Sequence, residues 1–240
     1  MPFRPAVERW RTTAAAVAPG GIPVDLVLAA IELESGGRPG AKSSANAAGL
    51  MQVKPSVVEQ YNASHKPIPF ARMLEKTPDA AADQIRIGSW LLGHHLRMMH
   101  GTDPDRAPWP KGPITPWQAK AADLRYSHGG GAFSSLRRGA RKAGYPDDPA
   151  GWQAYQKAEK PGWTSENPFF HAFAVWKLAI DGGGTRQTAR AEWSGKQQPP
   201  QSGRQPPKVT KREPTTAKAG GGAGAALLAL LALFSFRRTS

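Results

Sequence analysis

Residues 32–52, ELESGGRPGAKSSANAAGLMQ, constrain this chain more than any other stretch. An apolar helical segment ends on a carboxylate and two glycines. A small polar run follows, and Gly-Leu-Met-Gln closes it. Pro23 suits a first helical position, where its missing N–H costs nothing. From there PVDLVLAAIELES is rich in good helix formers. Val27, Ala30, Ile31 and Glu34 share one helical face, and Asp25, Ala29 and Glu32 share another. Glu34 therefore belongs to the apolar stripe, and Glu32 goes with Asp25 on a wetter side. Gly36 and Gly37 stop the helix. A carboxyl at the end of an apolar stripe loses solvent, which raises its pKa, and the negative helix C-terminus pushes the same way. Such a group keeps its proton near neutral pH and can give it to a leaving oxygen. The bland reading of Glu34 is a helix-ending residue with its head in water.

The spacing of the remaining residues narrows the choice. Glu34-Ser35 is followed by Pro39, Ser43, Ala47 and Gly49-Leu50-Met51-Gln52, with Pro55 beyond. This register resembles the soluble lytic transglycosylases, relatives of goose-type lysozyme. Two further segments follow in the family's order. DAAADQIRIGSWLLGHHL, residues 79–96, is similar to a family helix that leads with Asn-Ile, and departs from it at Gln84 and at Trp90-Leu91. AKAADLRYSHGGGAF, residues 119–133, is similar to the family's Ala-Ala-Tyr-Asn-Ala-Gly segment. Tyr126 and Gly129 match it, while Ser127 and His128 replace Asn and Ala. The resemblance covers roughly residues 20–145.

The resemblance implies a mainly α, lysozyme-like helical domain that cuts peptidoglycan. Glu34 would be the catalytic acid; Ser43, Gln52, Tyr126 and Met51 would bind the substrate. The implied route uses one carboxylate. Glu34 protonates the oxygen between N-acetylmuramic acid and N-acetylglucosamine, and the substrate's acetamide assists. The same Glu34 then takes the proton of the muramyl 6-hydroxyl, leaving a 1,6-anhydro sugar. A two-carboxylate hydrolase needs a second acid across the bond. None stands near Glu34 in the chain before Glu59. No metal or organic cofactor is implied.

Around this core the chain reads as helices and Pro-punctuated connections. A short helix is expected from about Ala6 to Val17. Residues 1–20 lack the long apolar run of a secretory signal, since Glu8, Arg9 and Arg11 interrupt it. A further helix is expected within 48–61, with Leu50 and Met51 packed inward and the Gln52 amide free to donate and accept. Ser43 and Ser44 could serve Glu34 or a sugar; serine also suits plain turns. One helical turn is expected at 70–75, and helices at 80–100, 117–127 and 132–143. Trp109, on the Pro-rich stretch 102–116, suits either sugar stacking or pegging its loop. His94, His95 and His100 lie at helical spacing, but no HExxH pattern surrounds them, so they read as helix-surface or partly packed groups. ENPFFHAFAVWKLAIDGGG reads as a buried helix stopped by glycine, its aromatics packing the core.

Charge divides the chain unevenly. The formal net charge is +14, and residues 185–240 hold ten Lys or Arg against two Glu. That excess suits an anionic wall, membrane surface or nucleic acid, although no zinc-finger spacing or RNA-binding sheet motif appears. No cysteine is present, which excludes disulfides and thiolate metal sites. The expected organisation is a domain over 1–184, a disordered basic Pro-rich linker over 185–218 and a C-terminal apolar helix over 219–238. Between Lys218 and Arg237 lie eighteen uncharged residues, close to the roughly 20 that span a bilayer. They read as a membrane anchor; a helix docked on the domain is the other reading. The functional expectation is a membrane-anchored lytic transglycosylase acting on glycan strands, as a phage virion enzyme opening the wall for genome entry. Its rivals are a bacterial envelope transglycosylase for remodelling or secretion-channel assembly, a muramidase, and a non-catalytic wall-binding module.

Overall fold

The computed structural model describes residues 2–99, 114–159 and 167–197. The chain divides into units Met1–Pro199 and Pro200–Ser240, and every described residue belongs to the first. Among the described residues the architecture is helical, with isolated β-bridges and no sheet. The helices are α1 (Pro5–Glu8), α2 (Arg11–Val17), α3 (Val24–Glu34), α4 (Pro55–Asn62), α5 (Pro78–Met99), α6 (Pro116–His128), α7 (Gly130–Lys142), α8 (Pro149–Glu159), α9 (Asn167–Ile180) and α10 (Arg186–Gln197), with a 3-10 turn at Phe70–Leu74. Trp109, the remainder of the linker and the apolar stretch 219–238 lie outside the described residues. No described helix is long and apolar enough to cross a membrane.

Helix α3 is the axis of the fold. It packs on α9, α2 and α1, and every residue from Leu26 to Leu33 is buried. Of the expected wet face only Asp25 keeps solvent: Ala29 is buried, and Glu32 is 2% exposed. A buried charge needs partners. Glu32 receives Arg4 Nε at 2.7 Å and the Arg186 backbone N–H at 3.3 Å. Chain segments on both sides of α3 thus converge on one carboxylate. Pro23 sits one position before the helix, at its N-cap, and its carbonyl accepts the N–H groups of Leu26 and Val27.

The expected N-terminal helix is two short ones, broken at Arg9-Trp10. Both of these residues donate to the Gly37 carbonyl at 3.1 Å, which fastens the segment to the end of α3. Gly37 has φ +81, and a Cβ there would fall 2.1 Å from the Ala6 carbonyl oxygen. Only glycine satisfies both conditions.

Gly49–Gln52 does not begin a helix. Ala48 and Val53 exchange N–H···O bonds of 2.9 and 2.8 Å, which makes GLMQ the tip of a tight hairpin. Positive φ at Gly49 and Gln52 forbids helix here, and α4 starts only at Pro55, where the ring suits a first turn. Gln84 on α5 locks this tip. Its Oε1 accepts the Leu50 N–H at 2.9 Å, and its Nε2 donates to the carbonyls of Arg72 and Glu75.

The folded unit also runs past the expected boundary at 184. Residues 186–197, read from composition as linker, form α10. Thr185 and Thr188 cap its start by exchanging backbone-to-hydroxyl bonds of 3.0 and 3.2 Å. Ala189 and Trp193, one turn apart, are buried, with Trp193 against Phe170 and Phe173 of α9. Two well-placed apolar residues were enough where average composition suggested none.

Candidate active site

Glu34 ends α3, and the glycine turn behind it leaves its side chain facing α6 and α9. Its side chain is largely buried, with 17% exposed. Burial pushes its pKa up, opposed by His171, aided by Asp123 and opposed by Arg186, to about 7. A group with that value is part acid and part base at neutral pH.

His171, in the first half of α9, lies against it. Its Nε2 is 3.4 Å from Glu34 Oε1, and its Nδ1 is 2.8 Å from Asp123 Oδ2. Asp123, on α6, is 1% exposed. Burial works to lower the His171 pKa, but Asp123 and then Glu34 outweigh it and raise it to about 9. The Nε2 atom is shielded from solvent and makes no hydrogen bond. Three helices therefore bring an Asp–His–Glu line together from positions 123, 171 and 34.

Tyr126 stands one turn after Asp123 on α6. Its hydroxyl donates to the Met51 carbonyl, tying α6 to the GLMQ hairpin. Burial, with Glu34 and Asp123 nearby, pushes this phenol well above its usual range, so it remains a neutral donor.

The other sequence-derived positions support the loop. Ser43 Oγ accepts the Ala47 N–H at 3.1 Å and donates to the Ala47 carbonyl, which is turn chemistry. Gln52 has φ +46, and its amide nitrogen donates to the carbonyls of Ala41 and Gly49. The Met51 side chain is wholly buried. A Cβ on Gly88 of α5 would fall 2.7 Å from the Met51 sulfur, so that helix needs glycine where it meets the hairpin. What Met51 offers the site is its carbonyl.

Sequence reasoning passed over Asp123 and His171. Each is a polar residue inside an apolar run, AADL and FFHAFAV. Such a residue, once the helix is buried, must find a partner. The signal was present but did not say that the two would meet. His95 is also buried, and burial, with Arg125 and His94, lowers its pKa to about 3. It is a packed neutral imidazole. No group of three or more metal-ligating side chains occurs among the described residues.

The model of the transglycosylase SLT domain matches residues 12–142, from α2 to the end of α7. No curated protein matches the chain. With more than half its length matched, the chain belongs to the transglycosylase SLT domain family and is a peptidoglycan lytic transglycosylase.

Proposed function

We propose that Glu34 alone supplies the acid and then the base that cleave the bond between N-acetylmuramic acid and N-acetylglucosamine, leaving 1,6-anhydromuramyl ends. The observation that carries this reading is a carboxyl at the end of an apolar helix, largely buried beside His171 and still in part exposed, where burial raises its pKa to about 7. In the first step the Glu34 O–H bond breaks and its proton goes to the glycosidic oxygen. The acetamide oxygen of the muramyl residue bonds to C1, and the N-acetylglucosamine hydroxyl leaves. In the second step the Glu34 carboxylate takes the proton of the 6-hydroxyl. O6 bonds to C1, the acetamide is restored, and Glu34 is again protonated. Asp123 is the other carboxylate joined to this site, but it is 1% exposed and bonded to His171, so it is not free to act as a second acid. That favours the single-carboxylate route over a hydrolase pair. Tyr126, the Met51 carbonyl, Ser43 and Gln52 form or brace the substrate side of the site.

The test is digestion of purified peptidoglycan by wild type and by Glu34→Gln, with the released fragments weighed by mass spectrometry. Anhydro ends from the wild type and none from the variant are expected. Reducing ends instead would make the enzyme a muramidase, and equal release by both would remove Glu34 from the chemistry. Release by neither would favour the wall-binding module.

The uncharged run between Lys218 and Arg237 supports an anchor in a membrane. With the basic segment before it, this favours an enzyme that works at an envelope, in a virion opening the wall for genome entry or in a bacterial envelope. Flotation of the full chain with lipid vesicles, against a chain ending at Gln197, tests the anchor. Equal flotation would remove it.

A further inference from the structure

We propose that Asp123 and His171 are a positioning pair for Glu34: His171, fixed by Asp123, holds a positive charge beside the Glu34 carboxyl through both halves of the reaction. The inference rests on Glu34 being the acid. His171 lies against Glu34 with its Nε2 shielded from solvent, so it acts through that carboxyl.

The geometry is that of an oriented imidazole. Asp123 accepts the Nδ1 proton at 2.8 Å, which fixes the ring in its pocket. The other nitrogen then points at Glu34 Oε1 across 3.4 Å, with no other hydrogen-bond partner and no water-accessible surface. A buried polar nitrogen left unpaired is costly. A displacement of a few tenths of an ångström toward Oε1 would close a charge-assisted bond. That displacement is favoured when the carboxyl loses its proton, because only then does the oxygen carry full charge. The charge therefore serves the anionic form of Glu34, which is the form the first step creates and the second step consumes. His171 keeps its own proton throughout, and no net proton leaves the pair.

Helices α3, α6 and α10 pack against α9 and supply the charged groups around this imidazole. Helix α3 contributes Glu34; Glu32 on the same helix is held by Arg4 and the Arg186 N–H. Helix α6 contributes Asp123 and the neutral Tyr126. Helix α10 contributes Arg186, whose charge opposes protonation of His171 and favours ionisation of Glu34. Two carboxylates against one guanidinium leave the site suited to an imidazolium. Asp123 lies inside the segment matched to the family and His171 beyond its end. The helix that completes the site is thus added by the rest of the chain.

The test compares the full-length wild type with His171→Gln, Asp123→Asn and Glu34→Gln on soluble peptidoglycan fragments. Removing the positive charge makes Glu34 a weaker acid, since His171 lowers its pKa. For His171→Gln a fall in kcat of about tenfold or more, KM within about twofold, and a basic limb moved up by about one pH unit are expected. Asp123→Asn should also lower kcat but move the limb up by less, because the Asp123 charge that it removes itself raises the Glu34 pKa, and combining the two should add little to the fall in kcat. A wild-type rate and pH profile in both variants, with Glu34→Gln inactive, would overturn the pair and leave Glu34 standing. Full activity in Glu34→Gln would instead overturn the reading beneath it. Should a variant fail to fold, the wild type decides the matter by NMR of its histidine rings. A ring that stays cationic to about pH 8 and shifts when Glu34 titrates is expected, and neutral rings throughout at pH 7 would refute the pair.

Discussion

Replacing Glu34 by Gln should stabilise this protein at pH 8 and leave its stability unchanged at pH 4. The Glu34 pKa rises from an ordinary 4.5 to about 7 in the fold, chiefly through burial. Between these values the folded chain holds a proton that the unfolded chain releases. Stability from this group is therefore full below about pH 4.5, falls as pH rises, and is gone above about pH 7. The difference corresponds to about 3 kcal/mol. Glutamine has nearly the same shape and never ionises, so the variant escapes the loss. A gain of about 3 kcal/mol in a domain this size is worth roughly 6–12 °C in Tm. Glu34 is one of the two carboxylates that raise the His171 pKa, so the variant also loses part of that support, and about 3 kcal/mol is the upper bound of the gain at pH 8. Calorimetric melts from pH 4 to pH 8 give the answer. A variant no more stable than wild type at pH 8, or a gain that persists at pH 4, would refute the claim that burial of this carboxyl is what raises its pKa. The same burial that costs stability keeps this carboxyl protonated, which the role proposed for Glu34 requires.

Three structural predictions follow from the packing around the site. Gln84→Leu strands the Leu50 N–H and the carbonyls of Arg72 and Glu75, and should cost about 3–5 kcal/mol by urea unfolding; a loss under about 1 kcal/mol would show that the hairpin tip does not need this lock. Gly37→Ala meets both the left-handed backbone and the Ala6 carbonyl, and should destabilise by at least about 2 kcal/mol. A chain ending at Gly184 should melt well below one ending at Gln197, by an amount matching about 2–4 kcal/mol for uncovering Trp193's site on Phe170 and Phe173. Equal melting of the two chains would mean that α10 adds nothing.

Local spacing made α3 and its acid legible, because helix period, glycine stop and carboxylate lie within a dozen residues. The long helix α5, the glycine break after α6 and the apolar α9 were likewise readable, each with its own period and punctuation. The hairpin at Gly49–Gln52 was not, since its positive φ angles follow from a lock supplied by Gln84, 34 residues away. Nor was the fate of Glu32, which is buried because Arg4 and Arg186 reach it from opposite ends of the chain. The sequence by itself determined that a carboxylate would end an apolar helix and that a turn-rich loop would follow. Only the tertiary structure decided which groups surround that carboxylate. Asp123, Tyr126 and His171 ride on α6 and α9, and their meeting with Glu34 depends on α9 packing against both α3 and α6. Proton affinity is set by such through-space neighbours and by the exclusion of water, and neither is written in the order of residues.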